Sequence, residues 1–86
     1  MTLFVSNLHF DLVDERVLRD LFEPYGSLER VHLARDRETD RSRGFAFVTM
    51  SKRADGERAV EELSNTKLNG RTLFVREAVD KEKKNV

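Results

Sequence analysis

The run Arg43-Gly44-Phe45-Ala46-Phe47-Val48-Thr49-Met50 alternates in character residue by residue, which leaves few folds open to the chain. A strand points successive side chains to opposite faces. One face of this strand holds Gly44, Ala46, Val48 and Met50, a small-to-aliphatic set suited to a core. The other holds Arg43, Phe45, Phe47 and Thr49, and a core has no need of an arginine beside two phenylalanines. Two rings and a cation side by side are what stacking on bases and pairing with phosphate require.

The surrounding pattern predicts strand, helix, strand, strand, helix, strand. Thr2 to Ser6 alternates, with Leu3 and Val5 on one side and Phe4 on the other. Asp14 is placed to cap a helix, with Glu15 at the positive end of its dipole. Val17, Leu18, Leu21 and Phe22 recur at helical spacing, Tyr25 extends the stripe, and Gly26 ends it. Leu28 to Arg35 reads as a strand with Val31 and Leu33 inward and Arg30, His32 and Ala34 outward. The polar residues Asp36 to Ser42 form the loop into the phenylalanine strand. A second helix runs from about Lys52 to Leu63 and buries Ala59, Val60 and Leu63. Asn69-Gly70 marks a turn, and Arg71 to Glu77 is the last strand, with Leu73 and Val75 inward.

At 86 residues the chain has room for one domain and one core. It has no cysteine, so thiol catalysis, disulfides and cysteine-held zinc are excluded. No apolar run approaches the ~20 residues that a membrane span needs. Formal net charge is zero, but the charges are segregated. From His9 to Glu29 six acids face two arginines; from Arg30 to Arg53 seven bases face three acids. From Ala54 to Gly70 four acids face two bases, and from Arg71 onward five bases face three acids. The basic side coincides with the phenylalanine strand, so zero net charge implies modest affinity for an anionic partner rather than none.

With these elements in place, the octamer and the hexamer Leu3-Phe4-Val5-Ser6-Asn7-Leu8 together resemble the two signatures of the RNA-recognition-motif family. Gly70-Arg71-Thr72-Leu73-Phe74-Val75 closes the likeness, which covers nearly the whole chain. It implies an α+β, ferredoxin-like βαββαβ sandwich: a four-stranded antiparallel sheet, in order 4-1-3-2, packed on two helices. The domain would span residues 1–79, and residues 80–86 would form a flexible charged tail. By the same likeness Phe4 and Phe47 each stack a base, Phe45 packs against sugars, and Arg43 pairs with phosphate. His32, Phe74 and Arg76 would extend this platform, and the main chain of Ala78 and Val79 would contact bases past its edge.

Four positions depart from the family pattern. Met50 replaces an aromatic but faces the core, and Ala46 replaces a common glycine. Asp40 stands where the loop often has glycine, and Gly56 where the second helix usually has alanine. A glycine inside a helix costs roughly 0.5–1 kcal/mol. Local stretches resemble different branches of the family. Leu21-Phe22-Glu23-Pro24-Tyr25-Gly26-Ser27-Leu28 is similar to the g subunit of translation initiation factor three. Arg37-Glu38-Thr39-Asp40-Arg41-Ser42-Arg43 is similar to chloroplast ribonucleoproteins, and Arg-Ser-Arg-Gly-Phe-Ala-Phe-Val to serine/arginine-type splicing factors.

Function is therefore expected to be single-stranded RNA binding, in mRNA processing or translation. The alternative is a protein-interaction module of the same fold, using its acidic helix face. A phosphate-cradling glycine loop, a His-Glu-x-x-His metal motif and a Gly-x-Ser-x-Gly elbow are all missing, so no enzyme, metal or cofactor is expected. The expected molecule is a monomer inside the cell, in nucleus, cytoplasm or an organelle. His9 reads as a loop residue, and Arg37 and Arg41 as phosphate clamps opposed by acidic neighbours.

Overall fold

The computed structural model describes residues 1–78. In chain order they form β1 (Thr2–Ser6), α1 (Glu15–Phe22), a 3-10 turn (Glu23–Tyr25), β2 (Leu28–Arg35), β3 (Ser42–Met50), α2 (Arg53–Leu63), β4 (Lys67–Leu68), β5 (Arg71–Thr72) and β6 (Phe74–Glu77). Four strands make one antiparallel sheet in the order β2-β3-β1-β6, and β4-β5 is a separate two-stranded ribbon. With β6 as the fourth sheet strand, this is the 4-1-3-2 order expected.

Apolar burial explains the layering. The inward residues of β1, Leu3 and Val5, are fully buried, as are Ala46 and Val48 of β3. Leu18 and Phe22 of α1 and Ala59 of α2 meet them with no exposed surface. Asp14 caps α1, its Oδ1 accepting from the Val17 N–H at 3.0 Å. The helix ends by tightening into the 3-10 turn that contains Pro24, and Gly26 follows. Both helices pack on the inward face, so among the described residues the outward face of the sheet has no covering layer.

Three sequence expectations need correction. Arg71 to Glu77 is not one strand, because Leu73 interrupts it. The Leu73 N–H donates to the Thr66 carbonyl, and its own carbonyl accepts from Asn65 N–H, both at 2.7 Å. Leu73 thus bonds to the exit of α2, and only Phe74–Glu77 pairs with β1. Arg71 and Thr72 instead fold back on Lys67 and Leu68 through Asn69-Gly70, whose φ values of 54° and 82° suit a two-residue hairpin turn. Ser42 belongs to β3 rather than to the loop; it is buried, and its hydroxyl accepts from the Gly44 N–H at 3.0 Å. In α2 the buried set is Gly56, Ala59 and Leu63, with Val60 only half-buried.

Gly56 has a packing reason. A Cβ there would stand 2.7 Å from the Met1 Sδ, so alanine would require Met1 to move. Met50 faces the core at 1% exposure, as its phase requires.

Candidate nucleic-acid interface

Registry brings the outward side chains of distant segments into rows. Phe4 of β1 lies opposite Phe47 of β3 on one side and Arg76 of β6 on the other. His32 of β2 lies opposite Phe47, so one row reads His32, Phe47, Phe4, Arg76 across all four strands. In the next row Ser6 lies between Phe45 and Phe74. Alternation along each strand places all of these on the face away from the helices.

The three central rings touch. Phe4 is 5.7 Å from Phe45 and 5.4 Å from Phe47 between centroids, with tilted planes. Phe45 and Phe47 meet edge to face at 6.2 Å. Each is half-buried, so the cluster is supported from below and open above. The Arg76 guanidinium lies 4.8 Å from the centroid of the Phe4 ring. A base stacking on Phe4 must share the ring with that group or displace it. The exchange favours the base: an exposed cation–π contact is worth about 0.5–1 kcal/mol, against about 1–3 kcal/mol for base stacking.

Other expected site residues are less tightly joined. Phe74 is on the same face and 48% exposed, outside the three-ring cluster. His32 is exposed beside Phe47. The Ala78 N–H already donates to the Thr2 carbonyl at 2.8 Å, continuing the β1–β6 ladder, so that group is not open to a base. Val79 and the tail 80–86 lie outside the described residues.

Electrostatics sort the arginines. Arg35 forms a fork on Glu15, with Nη2 donating to Oε1 at 2.8 Å and Nε to Oε2 at 3.3 Å. That hydrogen bond holds the Glu15 carboxyl below the usual carboxylate range and raises the guanidinium's own pKa. Arg53 pairs with Glu57 and Glu77. Arg43 is exposed and is in none of the ion pairs formed among the described residues. In the β2–β3 loop, the Asp36 carboxylate accepts the N–H groups of Glu38 and Thr39, which lower its pKa and shape the turn. Asp40 has φ +61°, the left-handed conformation for which glycine is the usual choice there. Arg37 and Arg41 are exposed on the same loop.

Gly44 controls how Arg43 and Phe45 are presented. Its φ is +88°, and a Cβ would lie 3.3 Å from the Leu8 carbonyl oxygen. Its own carbonyl accepts from the Leu8 N–H at 2.9 Å, tying β3 to the loop after β1. Gly44→Ala is expected to destabilise the fold by about 1–2 kcal/mol, the cost of a left-handed L-residue. Thermal denaturation would show this as a midpoint lower by about 5–15 °C; an unchanged midpoint would mean the backbone relaxes freely there.

Sequence reasoning missed one group of neighbours. Phe10, Asn7 and Arg71 gather with Arg43 and Phe45 around a cleft at the end of the platform. Phe10 falls in a loop with no periodicity to expose its role, and Arg71 is placed by Asn7, 64 residues earlier.

Comparison with known proteins points the same way. The sequence profile described as RNA recognition motif matches residues 3–73. The chloroplast RNA-binding protein CP31B of Arabidopsis thaliana is 47% identical over 88% of this chain, which spans 26% of that protein. The G subunit of eukaryotic translation initiation factor 3 from Aspergillus oryzae is 52% identical over 72% of this chain, which spans 21% of that protein. Among solved structures, RNA-binding protein PG1 superposes with a TM-score of 0.89 at 42% identity, covering 93% of this chain and 95% of that one.

Proposed function

The chain belongs to the RNA recognition motif family, and from that premise we propose that it binds single-stranded RNA across the open face of its sheet. The observation that carries this reading is the contact of Phe4, Phe45 and Phe47 on a face the helices leave uncovered. Phe4 and Phe47 each take a base, Phe45 lies against the sugars between them, and Arg43 pairs with a phosphate. His32 and Phe74 extend the surface toward its two edges. Arg76 moves from the Phe4 ring to the incoming strand, and the Ala78 carbonyl, beside its engaged N–H, is the main-chain group left there for a base.

The division of charge supports the same assignment. The paired arginines Arg35 and Arg53 serve the fold, whereas Arg43 beside the rings keeps its charge for a ligand. A protein partner on the acidic helix face would sit on the opposite side of the sheet and leave the rings available. We place the module inside the cell, in mRNA processing or translation, since its relatives include a chloroplast RNA-binding protein and a translation initiation factor component.

Salt dependence tests the phosphate contacts. With three or four phosphates neutralised, log K should fall against log[salt] with a slope of roughly −2 to −3, about −0.7 per contact on a single strand. Arg43→Ala should flatten that slope by about one contact. A slope near zero would remove the basic side as a phosphate track.

A further inference from the structure

The cleft at the end of the platform shares Phe4, Phe45 and Arg43 with the reading above, which gives no role to its other walls, Asn7, Phe10 and Arg71. It lies between the loop after β1 and the start of β3, is open to solvent with a volume of about 480 Å³, and has Ser6, Asn7, Phe10, Arg43, Phe45 and Arg71 in its walls. Sites for small ligands run from about 300 to 1,000 Å³. Because Phe4 and Phe45 also line it, the cleft is continuous with the three-ring cluster.

Its apolar wall is an exposed ring held in a defined orientation. Phe10 is 49% exposed, and its ring stacks on that of His9 with centroids 5.3 Å apart and planes 18° from parallel. His9 is fixed in turn, its Nδ1 accepting from the N–H groups of Asp11 and Leu12 at 3.1 and 3.3 Å. The loop thus presents a flat surface already stacked on one side, at little further cost in ordering.

Its polar wall is a positioned cation with no acidic partner among the described residues. Arg71 donates from Nη2 to the Asn7 Oδ1 at 2.8 Å and from Nε to the Asn7 carbonyl at 3.3 Å. Asn7 is anchored by its own Nδ2, which donates to the Thr72 carbonyl at 2.6 Å. Both acceptors of the guanidinium are neutral, so it is held in place with its charge intact. Arg71, like Arg43 across the cleft, is in none of the ion pairs among the described residues. A stacking surface flanked by two guanidinium groups that form no ion pair among the described residues fits an aromatic ring that carries a phosphate.

We infer that this cleft is an additional nucleotide subsite, taking a base against Phe10 and its phosphate between Arg43 and Arg71. The inference rests on the sheet-face reading and lengthens the bound strand beyond Phe45. Both ends of the Asn7 amide are engaged and the Ser42 hydroxyl already accepts from Gly44, so the side-chain groups left to meet a base are the Ser6 hydroxyl and the Ser42 O–H as donor.

Two oligouridylates, of four and eight nucleotides, titrated against the intact chain, Phe10→Ala and Arg71→Gln, test this. Variants are compared on the same oligonucleotide, so the greater number of binding registers on the longer strand cancels. Phe10→Ala should weaken octamer binding about fivefold or more, the low end of one lost base stack, and leave the tetramer within about twofold. Arg71→Gln should do likewise and flatten the octamer's salt slope by about 0.7. An equal loss on both lengths would overturn the subsite, since Phe10 would then only support the platform. Octamer affinity unchanged in both variants would also overturn it and leave the exposed loop as a surface for a protein. If the unaltered chain binds neither oligonucleotide, the sheet-face reading itself falls.

Discussion

Replacing Phe4 and Phe47 together by alanine is expected to weaken single-stranded RNA binding by roughly 2–5 kcal/mol while the domain stays folded. Each ring removes a stack worth about 1–3 kcal/mol. The two touch at 5.4 Å, so their losses should not simply add. Neither ring belongs to the buried core, which lies on the other face with Leu3, Val5, Ala46 and Val48. Unfolding midpoints should therefore move little while affinity collapses. Fluorescence anisotropy with a labelled oligonucleotide, paired with thermal denaturation, reads both quantities. Folded variants that retain full affinity would rule out the rings as the binding centre.

The opposite pattern is expected of Phe22→Ala. Phe22 closes α1 with no exposed surface and is the largest fully buried side chain in the fold. Phenylalanine-to-alanine changes in cores cost about 3–5 kcal/mol, partly for lost transfer energy and partly for the cavity left behind. In a domain of this size that corresponds to a midpoint lower by on the order of 15–30 °C. Under conditions where the variant is still folded, its RNA affinity should be close to that of the unaltered chain, since Phe22 lies on the helix side of the sheet. A small stability change would mean that the layer between α1 and the sheet can collapse around the gap.

The alternation in β1 and β3 made the open face legible from sequence. Inward and outward sets differ sharply there, and a single-residue slip would bury Arg43 and expose Val48. The α1 stripe, its Asp14 cap and the Asn69-Gly70 turn were legible for similarly local reasons. The break at Leu73 was not, because its phase is correct for a strand. Only its bonds to Asn65 and Thr66, which depend on where α2 ends, take it out of the sheet. Ser42 read as a polar loop residue because its burial depends on a hydrogen bond to Gly44 that sequence does not display. The Phe10 cleft was hidden for the same class of reason. It exists only because Asn7 and Arg71, far apart in the chain, meet at one end of the sheet.

The central claim is that RNA lies across the sheet rather than against the helices. A chemical-shift titration with an eight-nucleotide single-stranded RNA addresses this most directly. The largest shifts are expected in the rings of Phe4, Phe45 and Phe47 and the guanidinium of Arg76, with smaller ones at His32 and Phe74. Residues on the outer faces of α1 and α2, such as Asp20, Glu57 and Glu61, should scarcely move. Shifts confined to those helices, with the three rings unchanged at saturation, would contradict it.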